Sequence, residues 1–316
     1  MFMNDICQIL GTEYPIIQGA MARIAESSLA AAVSNGGGLG IIASGGCDAN
    51  WLRNEIKKVR ELTDKAFGVN LMLLMPNIDE LIQVVCEEKV PVVTTGAGNP
   101  GKYMKNLKEA GIKVIPVVAS VALAVRVERA GADAVIAEGT EAGGHIGEIA
   151  TMALTPQVAD AVSIPVIAAG GIADGRGIAA AYMLGAKGVQ VGTRFVVAKE
   201  CIVSQNYKDA IIKARDTDTC ATGRITGHPV RVIKNKLARE ILAIEKNSTG
   251  NEAQAAIDKV GIGALSAAVF DGDIEHGSVM SGQIAGMVNK EQPAAEIIKE
   301  MFEEAVKVYA DRASLF

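Results

Sequence analysis

Eight short runs rich in Val and Ile recur along the first two-thirds of this chain, and an amphipathic helical pattern follows most of them. The runs cover 15–19, 39–42, 67–71, 91–95, 114–118, 134–137, 165–169 and 188–192. Their starts lie roughly 20–30 residues apart, the length of one strand-helix unit. Helical patterns fall between them at 51–62, 78–88, 103–110, 122–130 and 177–184. Gly111, Gly131 and Gly185 each follow a helical pattern and suit the left-handed residue that ends a helix. Eight such units predict a closed TIM-type (β/α)8 barrel, because an open sheet this wide is less common. The composition agrees. Hydrophobic residues make up 49% of the 316, yet aromatics only 4%. The apolar content is therefore mostly small and branched aliphatic, as buried parallel strands require.

Beyond the eighth run the pattern breaks. Residues 206–215 read as a helix, the last of the barrel or close to it. Residues 216–283 read as an irregular insertion or lid, with helical stretches near 234–244 and 253–269. Residues 294–310 form an amphipathic helix. The expected organisation is a barrel of 1–215 and 284–316, with 216–283 contributing to the substrate site.

A net charge of −5 argues against nucleic acid as partner. The five cysteines include no CxxC pair, no signal peptide is evident, and no apolar run reaches the roughly 18 residues of a membrane span. Free thiols in a reducing cytoplasm are the expectation. No His/Cys cluster has metal-ligand spacing, so a zinc site is not expected.

Active sites of such barrels lie at the C-terminal ends of the strands. The residues there are glycine-rich and polar: 18–22, Gly45-Gly46, Asn70, 95–98, Glu138, Gly143-Gly144-His145, Gly170-Gly171 and Gly192-Thr193. Glycine at this rim suggests backbone lying close to a ligand. The turns at Gly170-Gly171 and Gly192-Thr193 follow the seventh and eighth runs, where barrels commonly hold a phosphate. Bare amides beside helix N-termini would bind it, and the Thr193 hydroxyl would add a bond. Two tight turns with no ligand are the alternative. His145 sits on the rim beside Glu138 and Glu141. It suits proton transfer near neutrality, against a plain structural role. His228 and His276 lie in the insertion and read as solvent-facing or local packing groups.

Several segments resemble the nitronate monooxygenase superfamily of FMN barrels: 18–22, 37–40, 138–145 and 168–172. Others resemble the flavin-dependent enoyl-[acyl-carrier-protein] reductases of bacterial type II fatty acid synthesis within it: 67–74, 93–100, 190–195 and 277–283. The likeness runs nearly the whole chain and is weakest over 201–254. The Glu138…Gly143-Gly144-His145 element is common to both branches. The segment Thr94-Thr95-Gly96-Ala97-Gly98 replaces the Ser-Phe-x-x-Gly pattern typical of monooxygenases and points to the reductases. The rim segment 141–147 contains no Cys, which counts against a dehydrogenase of the inosine-monophosphate type.

The resemblance implies FMN as cofactor, NADH as reductant, and an enoyl thioester on acyl carrier protein as substrate. Nitronate oxidation by oxygen is the alternative. It also implies a homodimer and a monovalent cation on backbone carbonyls, for which the sequence itself carries no signal. Carried over by residue, Met21, Ala22, Asn70, Glu138 and Gly143 line the flavin, and Gly170, Gly171, Gly192 and Thr193 hold its phosphate. Met280 and Gln283 return toward ring and phosphate, and Gly46, Gly144 and Gln190 complete the binding set. His145 becomes the group that delivers a proton or polarises the thioester. Arg224, His228, Arg231, Lys234, Lys236 and Arg239 are a candidate docking patch for the acidic carrier, against a solvated helix face.

Overall fold

In the computed structural model, which describes residues 5–312, all eight runs are parallel strands. They are β1 (Ile16–Gln18), β2 (Gly40–Ala43), β3 (Phe67–Met72), β4 (Val92–Gly96), β5 (Lys113–Val118), β6 (Val135–Glu138), β8 (Val166–Ala169) and β9 (Gly188–Val191). The short strand β7 (Gly144–His145) intervenes, and β10 (Thr219–Thr222) and β11 (Val230–Ile233) follow. The large sheet runs β1-β9-β8-β6-β5-β4-β3-β2. A bridge between Ile17 and Leu39 joins its two ends, and the buried Gln18 side chain accepts from the Ile41 amide at 3.0 Å. The sheet is therefore a closed barrel.

Strand side chains alternate between the barrel interior and the helix layer. Ile17, Ile41, Val92, Ile115, Ile136 and Ile167 fill the interior, with Ile6 and Leu10 of the helix Asp5–Leu10 in the same cluster. The outward set, including Ile42, Val69, Val93, Val114 and Val135, packs beneath the helices. Gly111, Gly131 and Gly185 do follow helix ends, at φ +78°, +99° and +96°.

Two expectations need correction. The helix Gln205–Ile212 does not complete the outer ring. The helix Ala294–Arg312 does, because it packs between the helices Gly175–Met183 and Ser27–Asn35. Its Ile297, Ile298, Met301, Phe302 and Ala305 form one buried stripe that fits that gap. Gln205–Ile212 instead packs against the 3-10 turn Gln283–Met287. Nor is 216–283 irregular. β10 and β11 form an antiparallel hairpin, and β11 pairs with β7 on the barrel rim. The ribbon thus crosses from the insertion to the segment that carries His145. Helices Lys236–Asn247 and Gly250–Gly261 rise beyond it.

One stretch, Gly250–Asp271, does have the length and mean hydropathy (1.2) of a membrane span. It contains Asp258 and Lys259 and is interrupted by Gly263 at φ +75°. Two of its apolar residues, Ile257 and Leu265, line the cavity described below.

The fit of helix to strand is tightest at Gly40. A Cβ there would lie 1.8 Å from the Ala30 carbonyl oxygen, a backbone atom that cannot move alone. Gly40→Ala is expected to destabilise the fold by about 3 kcal/mol or more. The urea unfolding midpoint measures this; a midpoint equal to wild type would refute the close approach.

Candidate active site

A cavity of about 920 Å³ opens over the C-terminal ends of the barrel strands. One end is polar. β8 and β9 are neighbours, with Ala169 opposite Gln190, so the turns that follow them lie side by side. Gly170 and Gly171 both hold positive φ, +89° and +75°, which a side chain would resist. No protein acceptor takes the amides of Gly170, Gly171, Gly192 or Thr193 among the described residues. These residues all line the cavity. Such a cluster of free N–H groups fits an anion.

The helix termini contribute less than the sequence suggested. Asp174 caps Gly175–Met183 by accepting from the Arg176 and Gly177 amides, and Glu304 accepts from Gly175 at 2.8 Å. That terminus is filled by protein carboxylates. The short helix Thr193–Val196 has no side-chain cap and stays open. The Thr193 hydroxyl accepts from the Gly282 amide at 2.8 Å, which leaves its own hydrogen to donate. Gln283 N–H donates to the Glu141 carbonyl at 2.9 Å. The chain returning from the insertion is thus stitched to both the 139–145 loop and Thr193.

The middle of the cavity carries the ionisable groups. The Glu138 carboxyl has no hydrogen-bond or ion-pair partner among the described residues. Burial without compensation pushes its pKa up to about 7. His145 stands on β7, pinned by the pairing of β7 with β11. Desolvation against the cavity wall lowers its pKa, and a charge on His228 lowers it further. Asn70 Nδ2 donates to Thr94 Oγ1 at 2.9 Å, which fixes that side chain at the cavity floor. Met280 is held from behind: the buried Tyr207 hydroxyl donates to its carbonyl at 2.7 Å.

The far end is apolar. Met72, Leu74, Val117, Ala119 and Leu123 line it, with Gly96, Ala97 and Gly98 as its small-residue wall. A Cβ at Gly96 would meet nothing within 4 Å. Ala97 holds φ +56°, a strained conformation that fits a ligand-facing turn.

Of the residues singled out from sequence, the cavity gathers His145, Met21, Ala22, Asn70, Glu138, Gly143, Gly144, Gly170, Gly171, Gln190, Gly192, Thr193 and Met280. Gly46 and Gln283 lie outside its lining; Gly45 takes the position beside Ala22 and Met72. The exposed Gly46 instead accepts from Arg23 through its carbonyl, and Gln283 begins a 3-10 turn with its side chain exposed. Not every rim glycine answers to a ligand. A Cβ on Gly143 would sit 2.7 Å from the Gly282 nitrogen, and one on Gly139 would strike Thr151. Those glycines let loops cross. Sequence reasoning also set His228 aside, whereas the structure puts it in the cavity with His145. Its only local signal was the Gly227-His228-Pro229 turn.

Within the basic stretch one group is buried and two are ion-paired at the surface. Arg231 is 7% exposed, and its Nε donates to the Thr140 carbonyl at 3.1 Å. Arg224 pairs with Glu148 and Lys236 with Glu275. Arg231 is thereby withdrawn from the surface, whereas Arg224 and Lys236 remain on it as exposed ion pairs.

The Glu138 shift has a measurable consequence. Between the ordinary carboxyl value of 4.5 and about 7, the folded state holds more protons than the unfolded one. Stability contributed by the neutral carboxyl is therefore lost as pH rises through that window. Glu138→Gln is expected to flatten this slope in the ligand-free protein. Thermal midpoints of both proteins from pH 5 to 8 test it; parallel curves would contradict the shift.

Comparison with known proteins places this geometry in a family. The nitronate monooxygenase family model matches residues 4–81 and 76–304. A probable nitronate monooxygenase of Staphylococcus aureus (strain MSSA476) is 36% identical, covering 95% of this chain and 97% of the relative. The structure of FabK from Thermotoga maritima superposes with a TM-score of 0.95 at 50% identity, covering 99% of both chains. A nitroalkane oxidase from Streptomyces ansochromogenes gives 0.86 at 29% identity, covering 99% of this chain and 100% of that one. The chain belongs to the nitronate monooxygenase family of oxidoreductases, and within it resembles FabK along its whole length.

Proposed function

We propose that this protein is an FMN-dependent enoyl-[acyl-carrier-protein] reductase that uses NADH, and that it completes a cycle of fatty acid elongation in the cytoplasm. The observation that carries this reading is the apolar lobe that runs from the ionisable centre of the cavity past Gly96, Ala97 and Gly98. An acyl chain needs such a space, and a small nitronate does not. The 50% identity to FabK and the reductase-like motifs at 67–74 and 93–100 support it further.

The free amides of Gly170, Gly171, Gly192 and Thr193 suit the FMN phosphate. Met21, Ala22, Asn70, Glu138 and Gly143 then line the ring. Bound flavin supplies the hydride chemistry that no side chain can supply: it exchanges hydride between NADH and the β-carbon of the enoyl thioester. The protein's own residues do the rest. His145 holds a proton at the cavity centre for the α-carbon, or donates to the thioester oxygen as negative charge develops there. A lowered imidazole pKa makes that proton easier to give. Glu138, whose carboxyl burial pushes up to about 7, carries less negative charge near that pH than an ordinary carboxylate and so opposes an enolate less. Met280, positioned through Tyr207, closes the cavity beside Gly144.

Nitronate oxidation is the competing reading, favoured by the matching family model and the Staphylococcus relatives. One experiment separates the two. Purified protein is expected to be yellow, to bleach with NADH under anaerobic conditions, and to regain its colour on adding crotonyl thioester. His145→Ala should still bleach, with recovery slowed about 100-fold. Bleaching without recovery on the thioester, together with turnover of nitronate in air, would exclude the reductase.

The phosphate end gives a second expectation. Thr193→Ala leaves the Gly282 amide unpaired and removes a hydroxyl donor. FMN affinity should fall about tenfold, the equivalent of one lost hydrogen bond of about 1.4 kcal/mol. Fluorescence titration of FMN with the ligand-free protein measures it; unchanged affinity would move the phosphate elsewhere.

A further inference from the structure

The reduction of an enoyl thioester by NADH consumes one proton per turnover. NADH supplies only hydride, so that proton comes from water. Once His145 has given its proton to the substrate, its imidazole must regain one before the next cycle. His145 is itself exposed at the cavity of the ligand-free protein, but flavin and thioester filling that cavity would cover it, so in the loaded protein the route from solvent needs a further group.

The ribbon provides one. In the antiparallel pairing of β7 with β11, His145 is opposite Val230, and the Ile146 N–H donates to the Pro229 carbonyl at 3.1 Å. Position 228, two before Val230, therefore falls on the same face of the ribbon as His145. Diagonal neighbours of this kind lie about 7–8 Å apart at Cα, within reach of two imidazoles directly or through one water. His145, Val230 and His228 all line the cavity. His228 is also exposed, on the Gly227-His228-Pro229 turn at the cavity mouth. It touches solvent on one side and the reacting space on the other.

The remaining charged groups near the pair are already engaged. From the loop before β7, Glu141 accepts from the Thr151 amide and hydroxyl. From the loop after it, Glu148 pairs with Arg224. Arg231 lies on the opposite face of the ribbon, bonded to the Thr140 carbonyl. From the helix Gly250–Gly261, Asp258 accepts from Gln254. Glu138 lies on β6 and not on the ribbon, within the same cavity.

We propose that His228 reprotonates His145, passing a proton inward from solvent along one face of the ribbon. The step balances: an N–H bond of the His228 imidazolium breaks as one forms on His145, and water at the cavity mouth restores His228. His228 acts through His145 and is a positioning and relay residue that does not itself touch the reacting carbons. The electrostatic influence of His228 on His145 is consistent with two imidazoles this near. The proposal rests on the proton-donor reading of His145 given above.

The test uses the flavin-loaded protein carrying 13C-labelled histidine, whose three histidines are assigned by single substitutions. In His228→Gln the NMR titration midpoint of His145 should rise, because a neighbouring positive charge is gone. Enoyl-dependent turnover should fall about tenfold and recover when imidazole is added to the buffer. His145→Gln should gain nothing from imidazole supplied at the mouth. A His145 midpoint unmoved by His228→Gln, or a loss of turnover that imidazole leaves untouched, overturns the relay. The titration needs no turnover. Should the unaltered protein reduce no enoyl thioester, the substrate reading falls while the titration still decides whether the two imidazoles are coupled.

Discussion

Backbone N–H groups with nothing in the protein to bond to are the constraint around which the site is built. A peptide amide left without an acceptor costs roughly 1–3 kcal/mol when it is shielded from water. Here four amides without a protein acceptor lie together on the open cavity, where a ligand that displaced water would have to bond them, because β8 and β9 are neighbours in a closed barrel and both end in glycine turns. Closure is what makes this possible. The Gln18 carboxamide and the Ile17–Leu39 bridge seal the seam between β1 and β2. The strand ends are then fixed in a ring, and an anion held at one point of the ring orients whatever is attached to it toward the centre.

The second organising device is the ribbon that ties the insertion to the rim. A lid on flexible hinges would leave His145 on a free loop. Pairing β7 with β11 turns that loop into the edge of a three-stranded sheet. Val232 also bridges to Met280, and Tyr207 holds the Met280 carbonyl from the other side. The insertion therefore shapes the cavity directly, and barrel and insertion share one lining.

Much of this was legible in the residue order. Branched aliphatic runs bounded by Pro and Gly located all eight barrel strands, because parallel strands covered on both faces must be apolar along their length. The glycine turns after the last two runs were readable as neighbours for the same reason of position. What escaped was non-local. β7 is two residues long, and only pairing across some 85 residues of chain makes it a strand; Thr219–Thr222 has no alternation of apolar and polar residues and becomes a strand through the hairpin with β11. His228 looked idle because its place in the cavity depends on that pairing. Arg231 looked like a surface charge, since a cationic side chain gives no local sign that a distant carbonyl will cover it. The rim glycines were read too uniformly. Gly170 and Gly171 expose their amides, while Gly139 and Gly143 are small because another stretch of backbone passes over them.

The helix Ala294–Arg312 fills the last gap in the outer ring, although its strand, β9, ended about a hundred residues earlier. During synthesis, then, the eighth strand leaves the ribosome long before the helix that shields it. Until residues 294–312 emerge, the apolar flank between the helices Ser27–Asn35 and Gly175–Met183 stays open to water. Loss of that helix would uncover the barrel beside β9 and β1, and a nascent chain stalled within the insertion would expose a surface that chaperones bind.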